Sequence, residues 1–242
     1  MWPFPMRNED AKVRLALQTC RVDNIRVRSP TNMDPQDVPG HITDREGRWL
    51  AHTARDALAI EVGSFRGRST CYIARTASHV IACEPFCGQG KIRSDQTAAD
   101  FEQVRADWHR HTKACGVSSK ICLIECTSSD AYPLLRLKFL REAQLVFIDG
   151  SHYMPALLTD ACFSNFTGHG GIIAFHDYGD SRYPDVRKVV DDWSRFVHGA
   201  FVPLNAPGSM VAFRRVGQLF VPMNWFDRAA QRLSKQRGHY KP

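Results

Sequence analysis

Short apolar runs separated by helix-compatible stretches organise the chain between residues 58 and 213. The first five runs are Leu58-Ala59-Ile60-Glu61-Val62, His79-Val80-Ile81-Ala82-Cys83, Ile121-Cys122-Leu123-Ile124, Leu145-Val146-Phe147-Ile148 and Gly171-Ile172-Ile173-Ala174-Phe175. Consecutive apolar residues, rather than strict alternation, suit strands that helices cover on both faces. Between the runs the pattern predicts helices over 68–76 and near 95–115, 130–140 and 153–166, and such β-α units imply a parallel sheet. A further helix is expected from about Pro184, a proline suited to a first helical turn, to about Val197. Two last runs follow, Phe201-Val202-Pro203-Leu204 and Ser209-Met210-Val211-Ala212-Phe213. The turn Asn205-Ala206-Pro207-Gly208 between them is short enough to predict an antiparallel final pair.

Upstream of this alternation, residues 1–40 are polar and punctuated by proline, and a helix over 44–57 leads into the first strand. The organisation expected is an N-terminal arm (1–43), one α/β domain (44–215) and a basic tail (216–242). A chain of 242 residues is the size of one such domain with additions. No run approaches the roughly eighteen apolar residues of a membrane span. The apolar start Met1-Trp2-Pro3-Phe4-Pro5-Met6 lacks the basic and long apolar regions of a secretory signal, so a cytoplasmic protein is expected. The eight cysteines are scattered, and Cys71, Cys83, Cys122 and Cys162 sit inside apolar runs, where buried free thiols are expected. Neither Cys83/Cys87 nor Cys122/Cys126 has the spacing of a zinc knuckle.

Charge narrows the partners. Of the formal +7, nearly all lies in residues 214–242, which hold seven Lys and Arg against one Asp. A nearly neutral body argues against a phosphate-tracking groove, so nucleic acid is not the expected partner. In the tail, Trp225, Phe226, Ala229 and Leu233 follow helical spacing with Arg228, Arg232 and Lys235 on the other side. Such a helix would dock on the domain or on a second subunit of a homo-oligomer, or attach to an anionic membrane surface.

Candidate chemistry begins directly after the first strand, at Glu61-Val62-Gly63-Ser64-Phe65-Arg66-Gly67-Arg68-Ser69-Thr70. Gly63 permits a tight turn and close backbone approach to a nucleoside, and Gly67 lets the next helix start near the ligand. Glu84 ends the second strand, where an acid can accept both ribose hydroxyls of an adenine nucleoside. The spacing Glu-x-Gly-x-x-x-Gly replaces the Gly-x-Gly-x-x-Gly that sets a helix N-terminus against a pyrophosphate. That favours a nucleoside without a pyrophosphate over a dinucleotide. Beyond the fourth strand stands Asp149-Gly150-Ser151-His152-Tyr153, and beyond the fifth His176-Asp177-Tyr178. In a doubly wound sheet these strand ends are neighbours beside the first loop. Two carboxylates and an imidazole on one edge suit a divalent cation, with Asp149, Asp177 and His176 as candidate ligands. There is no Gly-x-Ser-x-Gly elbow, no P-loop and no Asn-Pro-Pro-Tyr-like tetrapeptide after the fourth strand, which speaks for oxygen rather than base nitrogen as acceptor.

With these residues in place, the segment Ile60 to Thr70 resembles the first motif of class I S-adenosylmethionine-dependent methyltransferases. Residues 145–180 resemble their metal-dependent O-methyltransferase branches, notably the macrocin-type sugar O-methyltransferases of methyltransferase domain family 24. The resemblance covers roughly residues 44–215. It implies a doubly wound, Rossmann-like sheet of seven mostly parallel strands in the order 3-2-1-4-5-7-6, the last antiparallel, with helices on both faces. It also implies S-adenosylmethionine as cofactor, with Glu61 and Gly63 near the methionine portion, Glu84 on the ribose, and Ser128, Ser129 and Asp130 along the adenine. Ser64, Gly67, Ser69, Thr70 and Asp149 complete the candidate cofactor set. At the loop after the third strand the family pattern has a glycine where this chain has Cys126. His152 takes the place of the family's general-base histidine, and a divalent cation is implied, Mg2+ first, with Mn2+ or another metal favoured if His176 is a ligand. The reaction expected is O-methylation of a small hydroxylated acceptor such as a sugar or glycosylated metabolite. Two other readings stand beside it: a nicotinamide-dependent oxidoreductase on the same sheet, and a non-catalytic, cofactor-binding partner subunit.

Overall fold

The computed structural model describes residues 33–87, 98–138 and 142–218. The tail helix expected from Trp225 onward lies outside the described residues, as does most of the N-terminal arm. A 3-10 turn, Pro35–Asp37, precedes α1 (Asp44–Thr53). Then come β1 (Leu58–Val62), α2 (Arg68–Thr76), β2 (His79–Cys83), α3 (Ala98–Ala114), β3 (Ile121–Ile124), α4 (Ser128–Lys138), β4 (Ala143–Ile148) and α5 (Ala156–Cys162). The remaining elements are β5 (Thr167–Phe175), α6 (Pro184–Phe196), β6 (Phe201–Leu204) and β7 (Val211–Arg215). The seven strands form one sheet in the order β3-β2-β1-β4-β5-β7-β6. Only β7 runs antiparallel to its neighbours, so the expected topology is the observed one.

Both faces of the sheet are buried, which explains the uninterrupted apolar runs. On one face Ile60, Val62, Ile81, Val146 and Ile148 join Leu135, Leu158, Phe163 and Trp193 from α4, α5, the following turn and α6. On the other face Ala59, Val80, Leu145 and Phe147 meet Leu50, Ile73 and Trp108 from α1, α2 and α3. Val38 and Ile42, ahead of α1, are buried in this second cluster. The thiols of Cys71, Cys83 and Cys162 are free and buried. Cys122 departs from the expectation of free thiols, being disulfide-bonded. No described helix is long and apolar enough to cross a membrane.

Three boundaries differ from the sequence pattern for local reasons. The helix expected over 44–57 stops at Thr53, because the chain must reverse into β1: Asp56 takes φ 57° and its N–H donates to the Thr76 carbonyl at 2.9 Å. The helix expected from 153 starts at Ala156 and passes into a 3-10 turn at Phe163. Pro155 excludes Met154 from helical geometry and occupies the N-cap. Strand β5 begins at Thr167 rather than Gly171, through a glycine-rich stretch of low strand propensity. Close approach requires Gly171, where a Cβ would lie 2.8 Å from the Ala143 carbonyl oxygen.

The strand order reverses between β1 and β4, the point where a doubly wound sheet opens a crevice beyond its carboxyl ends. Backbone pairing continues one residue past the strands there. Gly63 N–H donates to Cys83 O (2.9 Å), Glu84 N–H to Ile124 O (3.1 Å), Asp149 N–H to Val62 O (2.8 Å) and His176 N–H to Ile148 O (2.9 Å). Four candidate residues from four strands are thereby aligned on one edge.

Candidate active site

The first half of the crevice is the loop from Glu61 to Gly67. Gly63 has φ 86°, and a Cβ there would sit 2.2 Å from the Asp149 carbonyl oxygen, so only glycine lets the β1 and β4 ends touch. Gly67, at φ 87°, is the N-cap of α2 and packs against the Trp108 indole. Glu61 is fully buried; its Oε2 accepts hydrogen bonds from Ser64 Oγ at 2.9 Å and Thr70 Oγ1 at 2.5 Å. Burial pushes its carboxyl up to about 7, the Ser69, Thr70 and Ser64 hydroxyls opposing that rise. Among the described residues, Glu61 Oε1 has no hydrogen-bond partner. Glu84 is held by backbone: Oε2 accepts from Ser64 N–H (2.9 Å) and Phe65 N–H (2.8 Å), and Oε1 from Phe86 N–H (3.0 Å). Burial raises its pKa, against those three donors. Glu84 therefore fixes the shape of the glycine loop itself.

Ser128, Ser129 and Asp130 open α4 beyond β3. Asp130 Oδ2 accepts from Thr127 Oγ1 at 2.7 Å while Asp130 N–H donates back to that hydroxyl at 3.2 Å. Ser128 bonds the buried carboxylate of Asp160, a residue the sequence pattern did not single out. Asp160 Oδ2 also accepts from Ser151 N–H at 3.0 Å, and burial pushes its pKa up to about 6. A lone acid among Leu157, Leu158, Ala161 and Cys162 on α5 was the available signal.

The second half of the crevice brings together Asp149, His152, His176 and Asp177. One ligand atom each from Asp149, His176 and Asp177 lies within 4.8 Å of the others. His176 Nδ1 is 3.3 Å from Asp149 Oδ1 and 3.2 Å from Asp177 Oδ1. His152 Nε2 is 2.7 Å from Asp177 Oδ2 and 4.0 Å from Asp149 Oδ1. The two oxygens of Asp177 thus face different histidines, and the residue sits at φ 58° to do so. A carboxylate only accepts, so His152 Nε2 carries the proton of that bond and Nδ1 is left as its base nitrogen. The imidazole of His152 stacks on Tyr183 at 4.1 Å, and Tyr153 meets Tyr183 edge-on at 6.5 Å. Tyr178 instead donates to Asp191 on α6 at 2.8 Å.

Behind His176 stands Glu46, which sequence reasoning missed although Thr43-x-x-Glu46 is a readable capping box. Burial alone would raise the Glu46 pKa, yet His176 and Thr43 hold it down at about 2. Burial likewise opposes charge on His176, but Asp149, Asp177 and Glu46 push its pKa up to about 12. Asp177 is shifted down: the hydrogen bond from His152 and the nearby imidazole of His176 outweigh its burial. A separate cavity of about 280 Å³ between α1 and α2, lined by Arg48, His52, Arg55 and Arg75, holds none of these residues.

Sheet order, a glycine loop at the switch point and an acid ending β2 define a class I S-adenosylmethionine-dependent methyltransferase. A family model described as a methyltransferase domain matches residues 60–178, and that span of the chain is a methyltransferase domain. The nicotinamide-dependent alternative is thereby set aside. Solved structures agree in fold. The O-methyltransferase from Bacillus cereus in complex with SAH superposes with a TM-score of 0.53 at 14% identity, covering 88% of this chain and 93% of that one. The O-methyltransferase TomG from Streptomyces achromogenes, in complex with SAM, gives 0.53 at 15% identity over 88% and 92%. The O-methyltransferase NovP gives 0.55 at 14% identity over 86% and 98%. No curated protein matches the chain by sequence.

Proposed function

We propose that this methyltransferase acts on a hydroxyl oxygen of a small molecule, such as a sugar or glycosylated metabolite, with His152 as general base and a divalent cation at Asp149, His176 and Asp177. The observation that carries the reading is the shared use of Asp177, one oxygen toward the cation cluster and the other toward His152.

The donor set fits a cation. His176 Nδ1 is buried, and two carboxylate oxygens lie 3.2 and 3.3 Å from it without the alignment of a hydrogen bond. Mixed oxygen and nitrogen donors suit Mn2+ or another transition ion as well as Mg2+. A cation bound there would polarise the acceptor hydroxyl and lower its pKa. Asp177 holds the His152 ring so that Nδ1 can take the hydroxyl proton, and Tyr183 prevents the ring from turning away. S-adenosylmethionine, when bound, would supply the electrophilic methyl group that the acceptor oxygen takes as its proton passes to His152, the bonding pair of the broken carbon–sulfur bond remaining with sulfur. Gly63, Glu61 and Glu84 keep the first loop against Asp149, where the methyl donor's methionine and ribose portions are assigned.

Turnover of a panel of hydroxylated acceptors with S-adenosylmethionine, before and after chelation and with Mg2+ or Mn2+ restored, tests the reading. Metal-restored activity that His152→Ala loses while still binding S-adenosylmethionine is the expected result. Full activity after exhaustive chelation removes the cation, and methylation of nitrogen acceptors alone removes the oxygen assignment.

A further inference from the structure

We infer that Glu46, acting with Ser209, is a positioning residue that fixes His176 with Nε2 protonated and Nδ1 turned to the cation cluster. The inference rests on the cation site proposed above and adds to it a residue from the opposite end of the domain.

The geometry leaves Glu46 little freedom. Its Oε2 accepts from Thr43 N–H at 2.7 Å and from Thr43 Oγ1 at 2.8 Å. Its Oε1 accepts from Ser209 N–H at 3.0 Å and from Ser209 Oγ at 3.5 Å, and lies 3.5 Å from His176 Nε2. Ser209 Oγ is itself 3.3 Å from His176 Nε2. A serine hydroxyl that gives its one proton to Glu46 accepts from the imidazole, so both groups facing Nε2 are acceptors. Nε2 must then carry hydrogen, and Nδ1, which faces the oxygens of Asp149 and Asp177 at 3.3 and 3.2 Å, is the nitrogen that exchanges its proton for a cation.

The surroundings are built for this contact. Glu46 and His176 are 2% and 6% exposed. Gly208 is at φ 65°, and a Cβ there would lie 2.0 Å from Glu46 Oε1, so the β6–β7 turn closes over the carboxylate only because it is glycine. Gly47, next on α1, meets the Tyr72 ring so closely that a Cβ would fall 2.4 Å from it, which seats α1 against α2. A buried carboxylate at the outer nitrogen of a ligating histidine orients the ring and raises its basicity; losing such a partner typically weakens metal affinity about 10- to 100-fold.

The test measures Mn2+ affinity by calorimetry for the wild type, Glu46→Gln and Thr43→Ala, with 15N-resolved imidazole NMR of His176 in the metal-free wild type and variants. Expected are Nε2 protonation in the wild type, about tenfold or greater loss of Mn2+ affinity in Glu46→Gln, and a smaller loss in Thr43→Ala, which removes one Oε2 donor and leaves the Oε1 contacts in place. Equal Mn2+ affinity in the wild type and Glu46→Gln overturns the inference. If the wild type binds no Mn2+, the cation reading fails, and Glu46 is judged on NMR alone: a His176 signal unchanged by Glu46→Gln refutes it, a shifted one supports it. Should Glu46→Gln not fold, the wild-type spectrum decides, since an unprotonated Nε2 contradicts the inference outright.

Discussion

The two halves of the crevice hold their carboxylates in opposite ways. At the ends of β1 and β2, Oε2 of Glu61 and both oxygens of Glu84 accept from hydroxyls and N–H groups close by in the chain, Ser64, Phe65 and Thr70 among them. At the ends of β4 and β5, the ionisable groups face one another, and the nearest further partners, Glu46 and Ser209, are 163 residues apart. The first half is a locally closed cradle, whose shape follows from its own hydrogen bonds. The second gathers three carboxylates around the single imidazole of His176, an excess of negative charge that burial makes costly and a cation would relieve. On the proposed reading, shape is the first region's contribution and reactivity the second's.

If that division is right, changes in the second half should separate chemistry from folding. The largest effect is expected for His152→Ala, with kcat lower by about 10²- to 10⁴-fold and neither the melting temperature nor S-adenosylmethionine affinity much altered. A fall in cofactor affinity as large as the fall in kcat would merge the two regions again.

Changes in the first half should act through structure. Gly63→Ala forces both an unfavourable φ and a contact with the Asp149 carbonyl oxygen, a penalty of about 3 kcal/mol or more. Lower denaturant midpoints and weakened S-adenosylmethionine binding should report it. Gly116→Ala is the matching control, because Gly116 also has a positive φ, at 70°, with nothing within 4 Å of the added Cβ. It should cost about 1 kcal/mol, so equal losses at the two positions would deny the close approach.

Glu61 gives the cradle a pH signature. Its folded pKa, about 7, lies above the ordinary 4.5, so between those values the folded state holds a proton that the unfolded state has released. Stability therefore falls as pH rises through that window, by about 3 kcal/mol at most. Unfolding free energies at pH 5 and pH 7.5 should show a steeper fall for the wild type than for Glu61→Gln, and parallel slopes would refute it. The smallest effect is reserved for Thr43→Ala: loss of the α1 cap should lower stability by about 1 kcal/mol, measured by denaturation.

Much of this was readable along the chain, because the relevant physics is local. Apolar runs of five residues set the strands, and glycines at 63 and 67 marked a turn that side chains cannot follow. The pairs Asp149/His152 and His176/Asp177 announced themselves by standing at strand ends. Glu46, Asp160 and Ser209 did not, since each is an ordinary capping, helical or turn residue until another element is packed upon it. Even Glu84 changed meaning: its position at the end of β2 was plain, but its hold on the Ser64 and Phe65 N–H groups depends on how β1 and β2 lie side by side.

What the sequence determined by itself is the α/β alternation, the glycine loop after β1 and the residue types at the strand ends, all consequences of hydrophobic period and backbone freedom. Tertiary structure alone decided which nitrogen of each histidine faces which carboxylate. That choice needs α1, the β4 and β5 ends and the β6–β7 turn at one point, and distances of a few ångströms between groups far apart in the chain are set only by packing.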